Sequence, residues 1–273
     1  MNPYFRLFGL TLPAYGIFML AGALAAYGLA AFLARKKRDS LIRENFSYIY
    51  LMAIGTAIAG AFLFRPLTKA VEIAFHWDVV KLWTVDALVQ YLFGEMVFYG
   101  GLIGGLLGIL FFCRKFHIPL LPMLDVSAAP LALGHAFGRI GCLMGGCCYG
   151  CEVSAAHPFA IVYPEISLGA PAGVPLLAAP LMEAVFLVLL ALALAAVFLK
   201  SKARGLSSAV YLLAYGTWRF VLEFFRGDLV RGVYGGLSTS QYVSLLLFAA
   251  GIVLLLLMRR NRKRQGISSE AFS

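Results

Sequence analysis

Long apolar stretches separated by short polar ones make up most of the chain and predict seven membrane-spanning helices. Each stretch approaches the roughly 20 apolar residues, range about 17–25, that a helix needs to cross a bilayer. The predicted spans are 10–34, 48–64, 95–113, 118–137, 180–199, 206–224 and 241–258. The fourth contains three prolines together with Asp125 and His135, so a kinked or partly re-entrant path is expected there. The pattern predicts an all-α, polytopic integral membrane protein.

The composition points to the same class. Of the 273 residues, 62% are hydrophobic and 13% are charged, whereas soluble domains average about 45–50% apolar and about 25% charged residues. No internal repeat divides the chain, so residues 1–273 are expected to form one transmembrane domain. The first apolar stretch is too long for a signal peptide and ends in the basic run RKKR, which indicates a retained span.

The distribution of the basic residues predicts the topology. A net charge of +10 could indicate nucleic-acid binding, but Lys and Arg cluster at the ends of apolar segments, and 15 of the 23 fall on one side of the seven spans. The positive-inside rule makes that side cytoplasmic. The N-terminus is therefore predicted outside, the C-terminus inside with a basic tail over 259–273, and no nucleic-acid partner is expected. Residues 65–94 and 152–179 become external segments, the first with text typical of an interfacial helix.

The stretch from Gly134 to Cys151, GHAFGRIGCLMGGCCYGC, is where we expect the chemistry. The stretch contains six glycines, and each costs a helix about 1 kcal/mol relative to alanine. It also places a charged group at the bilayer edge. Packing alone explains this combination poorly. His135 and Arg139 are four residues apart and share a helix face. Arg139 can hold a phosphate through its planar fork, or it can reach out to lipid headgroups as span-end arginines commonly do.

Four of the five cysteines lie in this stretch, and their use stays open between three interpretations. Cys142, Cys147, Cys148 and Cys151 are compatible with a metal site, with a redox pair, or with a tight structural loop that carries disulfide bonds. The adjacent pair Cys147 and Cys148 is awkward for one tetrahedral ion. Structural or disulfide use is therefore favoured, and no metal or cofactor is assigned.

The end of the sixth span, YGTWRFVLEFFRGD, carries a second group of charges. Arg219, Glu223 and Arg226 are spaced i, i+4 and i+7, which predicts one common helix face. Ionisable groups inside a membrane indicate function by default, although a purely structural Arg219–Glu223 pair is the alternative. A positive stripe facing Arg139 would make a cradle for a lipid phosphate. Glu183, near the start of the fifth span, is a further candidate for a buried acid.

The third span begins FYGGLIGGLLGI, with glycines at every fourth position. Gly100, Gly104 and Gly108 form a small-residue face on which a helix or an acyl chain can lie close, and helix packing is the favoured interpretation. Tyr99, at the outer end, could instead face the site.

Five segments in this order resemble the bacterial prolipoprotein diacylglyceryl transferase family over nearly the whole chain. They are YGGLIGG from Tyr99, GRIG from Gly138, PLMEA from Pro180, RFVLEFFRGD from Arg219 and LSTSQYVSL from Leu237. Members of the family have seven spans and an external N-terminus, in agreement with the charge count.

The resemblance implies transfer of the diacylglyceryl group of phosphatidylglycerol to the thiol of a lipobox cysteine in an exported prolipoprotein. The reaction would take place at the outer leaflet of the bacterial cytoplasmic (inner) membrane, forming a thioether and releasing glycerol phosphate. By motif, Arg139 and Arg219 would hold the phosphate and Glu223 would orient Arg219. The implied substrate-binding set contains Gly100, Gly101, Gly104, Gly138, Gly141, Cys142 and Arg226.

Three positions depart from the family pattern. Tyr99 stands where a histidine is usual, Cys142 where an asparagine is usual, and Cys147 where a glutamate is usual. Tyr99, whose ordinary pKa is about 10, would act as a base only if strongly activated. His135 is the alternative candidate for the base. The alternatives are a non-catalytic or different-acceptor lipid-handling protein of the same fold, or a thiol- or metal-handling membrane protein.

Overall fold

The structure, a computed structural model, describes residues 3–7, 10–37, 39–75, 84, 98–228 and 233–270, and this part of the chain is mostly helical. Its seven long helices are α1 (Ala14–Lys37), α2 (Ser40–Phe75), α3 (Phe98–Lys115), α4 (Leu120–Gly145), α5 (Ala179–Lys200), α6 (Leu206–Leu222) and α7 (Thr239–Glu270). A single 3-10 turn, Glu223–Phe225, follows α6. Within these residues, α1, residues 40–64 of α2, α4, α5 and residues 239–260 of α7 are long and apolar enough to cross a membrane. The chain is a polytopic membrane protein.

The described residues are mostly helical, as predicted, and they also contain short strands that the prediction lacked. The strands are β1 (Tyr4–Leu7), β2 (Leu10–Pro13), β3 (Ala160–Val162), β4 (Pro175–Leu177), β5 (Val233–Tyr234) and β6 (Leu237–Ser238). They pair consecutively as three antiparallel hairpins. Connecting segments that are not helical still have to satisfy their backbone N–H and C=O groups, and pairing with a neighbouring segment does so. The first predicted span thus begins four residues late, at Ala14, because Leu10–Pro13 pairs with β1.

Two further helix bounds differ from prediction. Helix α2 continues through Pro66 to Phe75, so the first eleven residues of the predicted external segment 65–94 are helical. Most of the rest of that segment lies outside the described residues. Helix α4 runs without interruption through Pro130 to Gly145, where a kinked or re-entrant path was expected.

The glycines of α4 explain why the helix persists. A methyl group at Gly141 would lie 3.0 Å from the Tyr15 ring, and one at Gly138 would lie 3.4 Å from the Met19 sulfur, both on α1. One turn earlier, α1 approaches so closely that a methyl group at Gly22 would lie 2.7 Å from Phe137 Cβ. Small residues let two helices come into close contact, which offsets the low helix propensity of glycine. Gly138 and Gly141 therefore have a packing role.

Residues 40–123 form one compact unit, in which α2 packs on α3. A methyl group at Gly100 would lie 2.5 Å from the Gly60 carbonyl oxygen, and one at Gly104 would overlap the Thr56 carbonyl oxygen. A methyl group at Gly101 would be 3.4 Å from the Ala57 carbonyl oxygen. Helix packing, the favoured interpretation, accounts for Gly100 and Gly104, and contact of the three glycines with substrate stays a prediction.

Residues 1–39 and 124–273 form the second unit, and polar contacts join its helices at one end. Asp125, near the start of α4, accepts hydrogen bonds from the backbone N–H of Gly205 at 2.5 Å and of Ser208 at 2.9 Å. It thereby caps the N-terminus of α6, which lacks a side-chain cap of its own. Lys37 Nζ donates to the carbonyl oxygens of Phe198 and Ser201 at the end of α5, at 2.6 and 2.5 Å. The candidate site lies at the other ends of α4, α5 and α6.

The segment after α4 folds back onto the end of that helix. The N–H of Leu168 donates to the Gly145 carbonyl oxygen at 2.8 Å, and that of Ala170 to the Gly146 carbonyl oxygen at 2.9 Å. Gly146 has φ +72°, and a methyl group there would lie 2.6 Å from Ser167 Cβ, so the turn requires glycine. Tyr163 packs with the Ala170 side chain in a small core that holds this segment in place.

Candidate active site

Glu183 is the buried acid at the centre of the candidate site. Its side chain has no exposed surface, and its Oε2 lies 3.1 Å from Arg139 Nε. The single hydrogen on that nitrogen is directed to His135 Nε2 at 3.2 Å, so the Arg139–Glu183 contact is an ion pair rather than a hydrogen bond. Tyr215 on α6 donates to Glu183 Oε1 at 3.1 Å. Three helices, α4, α5 and α6, therefore meet around one carboxylate.

The surroundings of Glu183 are positively charged. Arg139, His135, Arg219 and Arg226 all lie within electrostatic range of its carboxylate. A buried carboxylate is costly unless charge and hydrogen bonds compensate it; the arginines supply the charge, and Tyr215 supplies the hydrogen bond. Because Glu183 faces the arginines from another helix, its place at the centre becomes visible only in the folded chain.

His135 lies beside Arg139, as their spacing predicts. Its Nε2 accepts the hydrogen bond from Arg139 and is 4.0 Å from Glu183 Oε1, and its ring meets that of Tyr215 edge to face. The lone pair of Nε2 is therefore engaged and does not take up a proton while this bond persists. The geometry favours a positioning role for His135 over that of a base, which remains a prediction.

Arg219 forms the ion pair that its spacing predicts. Its Nη2 lies 2.6 Å from Glu223 Oε2 and donates to Ser240 Oγ at 3.0 Å. The arginine is only 6% exposed. Its Nη1 is buried and has no hydrogen-bond partner in the described part of the protein. One edge of the guanidinium is held in place, and a donor on the other edge is left over.

Arg226 does not lie on the helix face predicted for it. Helix α6 ends at Leu222, the following 3-10 turn ends at Phe225, and Arg226 is extended with φ −83° and ψ 139°. Its Nε and Nη2 donate to the two oxygens of Asp228 at 2.9 and 2.6 Å. The buried Nη1 of Arg226 likewise has no partner among the described residues.

Backbone pairing brings Arg226 to the cysteine-rich loop. Gly150 forms an isolated antiparallel β-bridge with Arg226. The N–H of Gly227 donates to the Tyr149 carbonyl oxygen at 3.2 Å, and the N–H of Cys151 donates to the Phe225 carbonyl oxygen at 2.8 Å. A methyl group at Gly227 would overlap the Gly150 carbonyl oxygen, so the two segments meet only because this residue is a glycine. This pairing ends the helix before Arg226.

Three thiols lie together at the end of α4. The Sγ atoms of Cys142, Cys147 and Cys148 are all within 4.8 Å of one another. None of the five cysteines, all of which lie within the described residues, forms a disulfide, and Cys151 lies outside the cluster. Hydrogen bonds from the Cys142 and Cys147 thiols, and the charge of Arg226, hold the pKa of Cys148 well below its usual value. The disulfide interpretation has no counterpart in the structure.

Tyr163 lies beside the three thiols. The residue is 1% exposed, and its hydroxyl has no hydrogen-bond partner in the described part of the chain. Burial, with a smaller effect of the neighbouring thiols, raises the pKa of Tyr163 to about 12, so its hydroxyl stays protonated at neutral pH.

Sequence reasoning missed several members of the site. Tyr215 lies one turn before Arg219, Asp228 two residues after Arg226, and Ser240 within the quoted LSTSQ segment, so each had a local signal. The predicted base Tyr99 lies in the first turn of α3, and its side chain is outside the described residues.

The arrangement suits a tetrahedral oxyanion. Arg139, Arg219 and Arg226 each pair with one acid, and the last two each keep a buried N–H donor without a partner. A phosphate has several oxygens that accept such donors, and guanidinium groups are the usual partners for it in proteins. The site can therefore hold a phosphate and stabilise negative charge that develops on it.

Comparisons with known proteins show which family the chain belongs to. The family model described as prolipoprotein diacylglyceryl transferase matches residues 3–257. A phosphatidylglycerol–prolipoprotein diacylglyceryl transferase 2 of Clostridium perfringens is 34% identical over 250 residues, which cover 91% of this chain and 92% of the relative. The corresponding transferase of Clostridium tetani is 33% identical over 248 residues, covering 91% and 94%. That of Acinetobacter baumannii is 30% identical over 246 residues, covering 87% and 85%.

Proposed function

The chain belongs to the prolipoprotein diacylglyceryl transferase family, and we propose that it moves the diacylglyceryl group of phosphatidylglycerol onto a prolipoprotein cysteine through the arginine site around Glu183. The observation that carries this assignment of the site is the pair of buried, unpartnered Nη1 donors on Arg219 and Arg226. An unpaired buried donor costs about 1–3 kcal/mol, and a lipid phosphate would satisfy both.

The chemistry sets two requirements. The acceptor thiol has to lose its proton, because the thiolate is the nucleophile, and its sulfur forms a bond to the glyceryl carbon while the bond from that carbon to the phosphate oxygen breaks. The glycerol phosphate that leaves takes the electron pair and gains negative charge. Arg219 and Arg226 are each held from one edge, by Glu223 and Asp228, and we expect them to stabilise that charge.

The location proposed for the site follows from the charge distribution. Fifteen of the 23 Lys and Arg residues fall on the side that the positive-inside rule makes cytoplasmic. The Arg139 end of α4 and the Arg219 end of α6 then point to the outer leaflet of the inner membrane. An exported prolipoprotein would present its lipobox cysteine on that side, and the two acyl chains of the lipid would remain in the bilayer.

Transfer can be measured with the purified protein reconstituted in phosphatidylglycerol vesicles and a synthetic peptide that carries a lipobox cysteine. We expect the peptide to gain the mass of one diacylglyceryl group in these vesicles and no mass in vesicles of phosphatidylethanolamine, whose headgroup differs. A peptide in which serine replaces the cysteine is the matched control and should stay unmodified. Binding of phosphatidylglycerol without any mass gain would instead favour a non-catalytic lipid-handling protein.

A further inference from the structure

The three clustered thiols have the arrangement of a metal site. Cys142, Cys147 and Cys148 form a group of potential ligands whose sulfur atoms all lie within 4.8 Å of one another. Zinc–sulfur bonds of about 2.3 Å around a tetrahedral ion place the sulfur atoms about 3.8 Å apart. A closure of at most about 1 Å, within reach of small side-chain rotations, would bring the three onto one ion.

The backbone explains how two adjacent cysteines point to one place. The N–H of Cys147 donates to the Cys142 carbonyl oxygen at 3.1 Å, which closes the turn after α4. Cys148 has φ +61°, in the left-handed region that residues other than glycine rarely adopt. The left-handed conformation of Cys148 lets the side chains of the adjacent Cys147 and Cys148 reach the same ion. Strained backbone of this kind is concentrated at functional sites.

A second observation comes from Tyr163, a buried tyrosine in the same part of the fold. The Tyr163 hydroxyl is buried and unpartnered within the described residues, and it lies within electrostatic range of all three thiols. A buried hydroxyl without a partner is unfavourable. A water or other ligand on an ion beside the thiols would give the Tyr163 hydroxyl a hydrogen-bond partner.

From this geometry we infer that Cys142, Cys147 and Cys148 bind one thiophilic divalent cation of the zinc type and leave one coordination position open. Thiolate ligands select borderline and soft metals, and three protein ligands with one open position are typical of catalytic rather than structural zinc sites. Three thiolates and a divalent cation carry a net charge of about −1, which the neighbouring Arg139 and Arg226 compensate.

The open position gives the site a role in the reaction, on the premise that the proposed function holds. The acceptor is itself a thiol, and its sulfur is the ligand that such a cation prefers. On binding, the acceptor loses its proton to water. Its sulfur then forms the bond to the glyceryl carbon as the bond from carbon to phosphate oxygen breaks, and glycerol phosphate leaves with the electron pair on the side of Arg226. The cation would thus perform the deprotonation usually given to a base.

Metal content of the full-length protein, purified in detergent under reducing conditions without chelator, tests the site. We expect one zinc per chain by mass spectrometry of the metal. Cys142→Ser, Cys147→Ser and Cys148→Ser should each weaken zinc binding at least about tenfold, whereas the matched control Cys151→Ser should keep it. A stripped wild-type protein that takes up no Zn²⁺ on titration overturns the inference, and so do cluster variants that bind zinc as Cys151→Ser does.

A cobalt-loaded wild-type protein keeps the test decisive if a cysteine variant fails to fold. Co²⁺ should show thiolate-to-metal charge-transfer absorption, which changes on addition of the lipobox peptide and not on addition of its Cys→Ser analogue. Cobalt bound without thiolate bands would overturn the site. Bands that do not change when the cysteine peptide is added would overturn its open position. Transfer by a metal-free chain removes only this inference, while a metal-bound chain that never transfers removes the proposed function.

Discussion

Replacing Arg219 by alanine is expected to lower the rate of diacylglyceryl transfer at least about a hundredfold while the protein still inserts into the membrane. The loss reflects removal of a donor aimed at charge that develops in the transition state, which typically costs a factor of about 10²–10³. The donor concerned is Nη1, which is buried and lacks a partner among the described residues. The measurement is the initial rate of peptide modification in phosphatidylglycerol vesicles.

Two controls separate this effect from damage to the fold. Arg219→Ala leaves the Glu223 carboxylate without its ion-pair partner, so the double variant Arg219→Ala with Glu223→Ala removes the whole pair. If the single variant fails for structural reasons, the double variant should recover activity, whereas the phosphate role predicts that it stays inactive. Arg204→Ala, in the exposed turn before α6, should transfer at the wild-type rate. An unchanged rate in Arg219→Ala contradicts the role of the arginine.

Replacing Glu183 by glutamine is expected to destabilise the protein by about 3–5 kcal/mol, the usual cost of breaking a buried ion pair from one side. Glutamine keeps the volume and still accepts the Tyr215 hydrogen bond, but it leaves Arg139 without its counter-charge 3.1 Å away. Because Arg219 and Arg226 also lie within range of this carboxylate, transfer should fall as well. Unfolding in mixed detergent followed by circular dichroism measures the stability.

Comparison with Tyr215→Phe isolates the charge. That variant removes one hydrogen bond to the same buried carboxylate and should cost about 1.5–3 kcal/mol, less than the loss of the ion pair. Glu165→Gln, on an exposed residue of the segment after α4, should leave stability unchanged. If Glu183→Gln were no more destabilising than Tyr215→Phe, Glu183 would not be the organising charge of the site.

Features set by local spacing were predictable from the sequence. The helices appear in the predicted order because apolar length dictates them, and two four-residue spacings predicted the His135–Arg139 and Arg219–Glu223 contacts. Packing of Gly100 and Gly104 against α2 followed from their period in the same way.

Features set by contacts distant in sequence were not predictable. Arg226 left its expected helix face because Gly227 pairs with Tyr149, almost eighty residues earlier. The thiols converge because Cys148 adopts a left-handed conformation, which a cysteine in the sequence does not predict. Glu183 was recognised as an acid within a span, but its partners come from α4 and α6, which only the folded chain brings together.

Complementation in cells depleted of their own prolipoprotein diacylglyceryl transferase tests the central claim most directly, with a reporter lipoprotein followed by its gel shift. We predict that the wild-type chain restores the shift and that Arg219→Ala, present in the membrane at the same level, does not. A wild-type chain that inserts and leaves the reporter unmodified would contradict the assignment of this arginine site to diacylglyceryl transfer.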